Sequence, residues 1–258
     1  MRELKHLKTR KGRQESGLFL VEGEKLVAEI PASWEVERYV MATRFVSDRD
    51  LSPYKLRAPV EIVRNSLFDS LADTVTPQGV IAVCKQKHWQ LDQLLAPGGF
   101  LLIGECLNDP GNIGALIRTA AAAGAAGMIL TTGSGDIYNP KVLRAAAGAA
   151  LRLPIVTDIA LDEVVGTLKQ ASYAIYAAHP RGDVLPYALD LSKNFCWLVG
   201  NESHGLTDTA LGLADICTKL PMADDIESLN ASVAGSILLY EAVRQRHNLC
   251  LTYSPHDV

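Results

Sequence analysis

Hydrophobic positions fall into two regimes along the chain. From residue 18 to residue 84 they form short runs, Leu18-Phe19-Leu20-Val21, Glu37-Arg38-Tyr39-Val40-Met41, Val60-Glu61-Ile62-Val63 and Gly79-Val80-Ile81-Ala82-Val83. Runs of this length, rich in β-branched and aromatic residues, predict strands, and a helix is expected near Ser66 to Leu71. They describe a small α/β module. Residues 85 to 99 turn polar and end in Pro97-Gly98-Gly99, which marks a linker.

From Phe100 onward the pattern changes. Continuous apolar stretches at Phe100 to Cys106, Met128 to Thr132, Tyr173 to Ala177 and Phe195 to Val199 alternate with helical stretches at Ile113 to Ala123, Pro140 to Ala150 and Leu161 to Gln170. Uninterrupted apolar strands separated by helices predict a mostly parallel sheet with helices on both faces. A last helix is expected with Ser228 as N-cap, its Leu229, Val233, Ile237, Tyr240 and Val243 recurring at roughly helical spacing. The domains are expected to span residues 1–95 and 98–258.

With 258 residues the chain is long enough to bury a substantial core, and its formal net charge of -4 excludes a uniformly basic coat. Charge is nonetheless uneven. Residues 1 to 14 hold Arg2, Lys5, Lys8, Arg10, Lys11 and Arg13 against only Glu3, a basic N-terminal arm. Cys84, Cys106, Cys196, Cys217 and Cys250 form no C-x-x-C pair, which suits a reducing cytosol. No run resembles a membrane span or a secretory h-region, so a cytoplasmic protein is expected.

Three joints between strand and helix are unusually polar. They read Asn108-Asp109-Pro110-Gly111-Asn112-Ile113-Gly114-Ala115-Leu116-Ile117-Arg118, Leu198-Val199-Gly200-Asn201-Glu202-Ser203-His204-Gly205-Leu206, and Leu220-Pro221-Met222 followed by Ser228-Leu229-Asn230. Glycine and amide-bearing residues at such joints suit backbone recognition of a small polar ligand. A dinucleotide fingerprint is not the explanation, because Gly133-Ser134-Gly135-Asp136-Ile137-Tyr138 ends in Tyr where glycine is required. Neither G-x-x-x-x-G-K-[ST], H-E-x-x-H nor G-x-S-x-G occurs. No metal is expected, since neither His179 nor His204 has a second ligand at metal spacing.

Taken together and in order, the three joints resemble the motifs of the SpoU branch of the SPOUT RNA methyltransferases. N-x-G-x-x-x-R-T-A stands as Asn112 to Ala120, G-N-E-x-x-G-L as Gly200 to Leu206, and I-P-M with S-L-N-x-S-x-A as Leu220 to Met222 and Ser228 to Ala234. Asn139-Pro140-Lys141-Val142 lies between the first and second. Leu220 and Ala231 replace the more usual Ile and Val, apolar exchanges that remove no functional group. The resemblance implies a C-terminal domain with a deep trefoil knot, an exception to the rule against knots. The segment from Lys5 to Gly23, with Gln78-Gly79-Val80, is similar to the substrate RNA-binding domain of the larger members.

Methyl transfer from S-adenosyl-L-methionine to a ribose 2'-hydroxyl of RNA is what the resemblance implies. It assigns Gly200, Leu220 and Leu229 to the cofactor, with Asn201, Gly205 and Met222 beside them; the glycines admit backbone without a Cβ in the way. Arg118 is assigned to activating the hydroxyl or holding the adjacent phosphate, and the second role is easier because a guanidinium stays protonated at ordinary pH. Asn112, Glu202, Ser228 and Asn230 complete the expected catalytic group. On residue type alone, Asn112 can equally cap its helix, and a less favoured alternative for Arg118 is a buried structural pair with Glu202.

Lys8, Arg10, Lys11 and Arg13 are expected to contact RNA phosphate, the alternative being a solvated, disordered terminus. A separate N-terminal domain favours ribosomal RNA over transfer RNA, and the intact Asn112, Arg118, Glu202 and Asn230 argue against a non-catalytic assembly factor. The family forms homodimers, which the apolar last helix permits.

Overall fold

In a computed structural model of the chain, residues 2–47 and 49–247 are described. Two units emerge. The first comprises the residues up to His88 together with Asp136–Arg152, and the second comprises Trp89–Gly135 with the residues from Leu153 onward. Cys250 lies outside the described residues.

The first unit opens with two short helices, α1 (Arg2–His6) and α2 (Arg10–Ser16), in place of a loose arm. Leu4 and Leu7 are buried in a cluster with Val40, Phe68 and Ile81, and that burial orders the terminus. The Thr9 hydroxyl accepts from the Gly12 amide and caps α2, which Gly17 ends in the left-handed region. Next come β1 (Leu18–Glu22), α3 (Glu24–Ala28), β2 (Val36–Ala42), α4 (Thr43–Val46), α5 (Ser52–Lys55), β3 (Val60–Val63), α6 (Asn65–Leu71) and β4 (Val80–Lys85). The four strands form one sheet in the order β1-β4-β2-β3, with β4 antiparallel to both neighbours and β3 parallel to β2.

The second unit begins with β5 (Phe100–Gly104), α7 (Pro110–Ala122) and β6 (Gly127–Thr131). The chain then contributes Asp136–Arg152, including α8 (Pro140–Ala146), to the first unit. Sequence order had assigned this segment to the C-terminal domain. Its anchors explain the difference: Asp136 pairs with Arg13, Tyr138 packs on Phe19 at a ring separation of 4.4 Å, and the Trp34 indole donates to the Leu151 carbonyl at 2.7 Å. Burial pushes the Tyr138 phenol up to about 12.

Back in the second unit follow β7 (Ile155–Ile159), α9 (Leu161–Gln170), β8 (Ala174–Ala178), β9 (Phe195–Val199), α10 (Asp208–Leu213), β10 (Ile216–Thr218) and α11 (Ala231–Arg246). Six parallel strands stand in the order β10-β8-β9-β5-β6-β7. β5, β6 and β9 are buried at every position, as a sheet covered on both faces requires. Strands β7 and β10 were not anticipated, because an edge strand and a three-residue strand carry no continuous apolar run.

Strand order brings two of the polar joints together. β5 and β9 are neighbours, paired Ile103 to Leu198 and Gly104 to Val199, so the loops that follow them leave the same end of the sheet side by side. Chain connections diverge there, β5 leading to β6 on one side while β10 lies beyond β8 on the other. Crevices form at such switch points, outside the carboxyl ends of the strands.

Candidate functional site

A cavity of about 300 Å³ opens at the carboxyl ends of β8, β9 and β10. All six residues expected to meet the cofactor line it: Gly200, Asn201, Gly205, Leu220, Met222 and Leu229. Glu202 and Ser228 line it as well, whereas Asn112, Arg118 and Asn230 do not. His179, Pro180 and Thr218 are lining residues that the motifs did not single out. They come from the strand ends beside β9, a neighbourhood set by sheet order and not by sequence proximity.

The loop from Gly200 to Leu206 is tightly folded. Asn201 and Gly205 exchange backbone hydrogen bonds at 3.0 and 2.9 Å, and Gly205 takes φ 69, the left-handed region that favours glycine. A Cβ on Gly200 would stand 2.3 Å from the Gly205 carbonyl carbon and 2.4 Å from the Leu206 nitrogen. Nothing larger than glycine fits. The Asn201 side chain secures the turn, its Oδ1 accepting from the Ser203 amide at 2.8 Å and its Nδ2 donating to the Cys106 carbonyl at 2.7 Å.

Glu202 faces the start of α7. Its carboxylate accepts from the Asn108 amide at 3.3 Å, the Asp109 amide at 3.1 Å and the Asn112 side-chain amide at 3.2 Å. A carboxylate at a helix N-terminus satisfies unpaired amides and complements the helix dipole. The cap of α7 itself is Asp109, whose Oδ1 accepts from the Asn112 amide at 2.8 Å, so Asn112 does not cap the helix. Its side chain is buried and directed to Glu202.

Arg118 is exposed on α7, which rules out the buried pair with Glu202. Asn230, and not the expected Ser228, caps α11: its Oδ1 accepts from the amides of Ser232 and Val233 at 2.9 and 3.3 Å. Ser228 is freed to line the cavity. α11 approaches α7 closely, since a Cβ on Gly235 would meet Leu116 Cδ2 at 2.6 Å, and the hydroxyls of Ser236 and Thr119 lie 3.0 Å apart. The apolar stripe read from spacing is the outer face of α11, with Val233, Ile237 and Tyr240 about half exposed, while Gly235, Leu238, Leu239 and Ala242 face the core.

Among the four basic residues expected at phosphate, Arg13 requires correction. It is 3% exposed, pairs with Asp136 at 2.6 Å and donates to the carbonyls of Leu7 and Lys8 at 2.9 and 3.0 Å. An enclosed guanidinium with these partners has no face left for a phosphate. Lys8 reaches the Ala72 carbonyl at 2.6 Å, and Lys11 is exposed beside Glu15. Arg10 is also exposed.

No cluster among the described residues could hold a metal ion. Cys84 and Cys196 are buried, and burial pushes both thiols up, Cys84 to about 12. Neither serves as a nucleophile at neutral pH.

Comparison with known proteins adds a family to this geometry. Residues 99–240 match the SpoU rRNA Methylase family and residues 1–82 match the MRM3-like substrate binding domain. The chain is 32% identical to the 23S rRNA (guanosine(2553)-2'-O)-methyltransferase RlmP of Bacillus subtilis, over 93% of this chain and 94% of that protein. It is 33% identical to the 23S rRNA (guanosine-2'-O-)-methyltransferase RlmB of Xylella fastidiosa, over 76% and 83% of the two chains. The crystal structure of the SpoU methyltransferase AviRb from Streptomyces viridochromogenes with AdoMet superposes with a TM-score of 0.85 at 29% identity, covering 95% of this chain and 97% of that one. The chain belongs to the SpoU rRNA Methylase family.

Proposed function

We propose that this protein methylates a ribose 2'-hydroxyl of ribosomal RNA, using S-adenosylmethionine bound in the cavity at the ends of β8, β9 and β10. One observation carries the site: the six residues read as cofactor contacts line a single cavity although they come from separate motifs. Its character fits the cofactor. Leu220, Leu229 and Met222 offer apolar walls suited to an adenine, and the glycine-bounded turn offers backbone polar groups at close range.

When bound, S-adenosylmethionine supplies an electrophilic methyl group on a sulfonium. The chain's own residues do the rest. Glu202 fixes Asn112 and the first turn of α7, holding the helix that carries Arg118 against the cofactor turn. In this reading Arg118 offers its exposed guanidinium to the RNA phosphate beside the target ribose and lowers the cost of the negative charge that develops as the hydroxyl oxygen takes the methyl group and releases its proton to solvent. Such positioning is among the largest contributions a site of this kind makes to rate. Ser228, at the cavity wall, and Asn230, which starts α11, set the opposite side.

The same reading assigns the first unit to receiving RNA and the second unit to transfer, with Lys8, Arg10 and Lys11 drawing phosphate. It also includes a knotted C-terminal segment, a cytoplasmic location and a homodimer formed through the exposed Val233, Ile237 and Tyr240 face of α11. No helix among the described residues is long and apolar enough to cross a membrane. Mapping ribose methylation in ribosomal RNA from cells with and without the gene tests the function; an unchanged map, with methyl groups lost from transfer RNA instead, would overturn the choice of RNA.

A further inference from the structure

Glu105 is a buried carboxylate, 6% exposed, that no motif includes and the mechanism above does not use. It sits one residue beyond β5 and touches both ends of the cofactor turn. Its amide donates to the Val199 carbonyl at 2.9 Å, immediately before Gly200. Its carboxylate accepts from the Thr207 amide at 3.0 Å and the Thr207 hydroxyl at 2.6 Å, immediately after Leu206. That hydroxyl in turn accepts from the Ala210 amide at 3.1 Å and caps α10.

The pairing of β5 with β9 explains the backbone contact but not the carboxylate. A buried acid is costly unless every charge finds a donor, and here both oxygens are spent on one residue of the opposite strand's loop. The next residue, Cys106, continues the grip through its carbonyl, which accepts from Asn201 Nδ2 at 2.7 Å, and it holds the left-handed φ of 50. The turn is therefore closed at both ends on a dipeptide outside it.

We propose that Glu105 is a positioning residue for the cofactor: by closing the Gly200–Leu206 turn on Thr207 it sets the spacing that lets the turn's backbone meet the ligand. This rests on the cavity being the cofactor site. Glu105 does not touch the reacting atoms; it acts through Thr207 and the turn.

Calorimetric titration of S-adenosylmethionine into the full chain tests this, alongside steady-state methyl transfer to RNA. Glu105→Gln places an amide where Thr207 presents donors, and Thr207→Val removes the hydroxyl while keeping the shape. Each weakens cofactor binding about tenfold, the scale of one buried charged hydrogen bond. The double variant falls well short of a hundredfold loss, because both substitutions act on the one Glu105–Thr207 pair, and Glu105→Gln leaves the Ala210 cap intact and so separates loss of the pair from loss of the cap. Thr207→Ser restores binding, and the KM for RNA stays unchanged throughout. Should Glu105→Gln fail to fold, Thr207→Val, at an exposed residue, carries the test. Unchanged cofactor affinity in Thr207→Val, or an equal rise in the KM for RNA, overturns the proposal. Gly200→Ala separates the two readings: normal binding in that variant overturns the site itself, whereas loss there with normal binding in Glu105→Gln and Thr207→Val overturns only the role of Glu105.

Discussion

The Asn112 side-chain amide donates to the Glu202 carboxylate at 3.2 Å, and through that bond the helix bearing Arg118 is tied to the turn bearing Gly200. Both partners are motif residues 90 positions apart in sequence. Asp109 caps α7, which leaves the Asn112 side chain for Glu202, whose carboxylate also takes the Asn108 and Asp109 amides.

Replacing Asn112 by Asp sets two carboxylates against one another at a buried position. We predict that Asn112→Asp loses about 2 to 4 kcal/mol of stability, as expected when a buried bond becomes a like-charge contact. Methyl transfer falls with it. Asn112→Ser, which retains a donor, recovers part of both. Thermal unfolding monitored beside labelled methyl transfer checks this, and an unperturbed melting temperature in Asn112→Asp would show that the bond carries no weight.

Arg118 presents the opposite case. Because it is exposed on α7, Arg118→Ala is expected to leave stability within about 0.5 kcal/mol of the unaltered chain. Methyl transfer should nonetheless drop on the order of a hundredfold or more, the usual scale of a lost catalytic positioning group. Cofactor affinity should hold, since Arg118 does not line the cavity. Full activity in Arg118→Ala refutes its role in transfer.

A Cβ at Gly200 has no room, standing 2.3 Å from backbone that cannot swing aside. Gly200→Ala must therefore widen the turn, which is expected to cost about 1 to 3 kcal/mol of stability and to weaken cofactor binding by at least tenfold. Calorimetry with S-adenosylmethionine reads the second effect directly; an alanine variant with native affinity would place the cofactor elsewhere.

These residues show what a sequence exposes and what it hides. That Gly200, Leu220 and Leu229 belong together at one cavity was legible because each motif carries its own backbone chemistry near a strand end. Glu105 and Thr207 were not, since nothing local distinguishes a glutamate at the end of β5 until its partner about 100 residues away is placed opposite. The same limit explains Arg13. Within a basic run it reads as one more solvated charge, and only the return of Asp136 to the N-terminal unit encloses it. Spacing gave a stripe of Leu229, Val233, Ile237, Tyr240 and Val243, of which Leu229 precedes α11, and periodicity does not say whether a stripe faces a core or open surface; Val233, Ile237 and Tyr240 are on the exposed face.

Arg13 and Lys11 lie two residues apart and should respond in opposite ways. Arg13→Ala strands the carboxylate of Asp136 and two backbone carbonyls, and is predicted to destabilise the first unit by about 3 to 5 kcal/mol. Lys11→Glu, at an exposed position whose ammonium stands 3.7 Å from Glu15, should cost no more than about 1 kcal/mol of stability, weaken RNA binding and shift the logarithmic salt slope by about one. Filter binding across a salt series, with denaturant unfolding in parallel, distinguishes them. Identical salt slopes for Lys11→Glu and the unaltered chain would remove this helix from the RNA interface.

The exposed face of α11 supports the last prediction. Val233 at 47%, Ile237 at 45% and Tyr240 at 52% exposure lie at spacings of four and three residues, so they form one continuous apolar strip. Large apolar side chains aligned in this way and left in water are more consistent with a covered interface than with a bare surface. Because the opposite face packs Gly235 against Leu116 of α7, a charge at Ile237 or Tyr240 leaves the protomer's own core untouched. Ile237→Asp combined with Tyr240→Arg is therefore expected to convert a dimer to a folded monomer, read as a halved mass by sedimentation velocity with an unchanged circular dichroism spectrum. Methyl transfer should fall together with the dimer. If the unaltered chain already sediments as a monomer at micromolar concentration, the strip serves another purpose and the dimer is wrong.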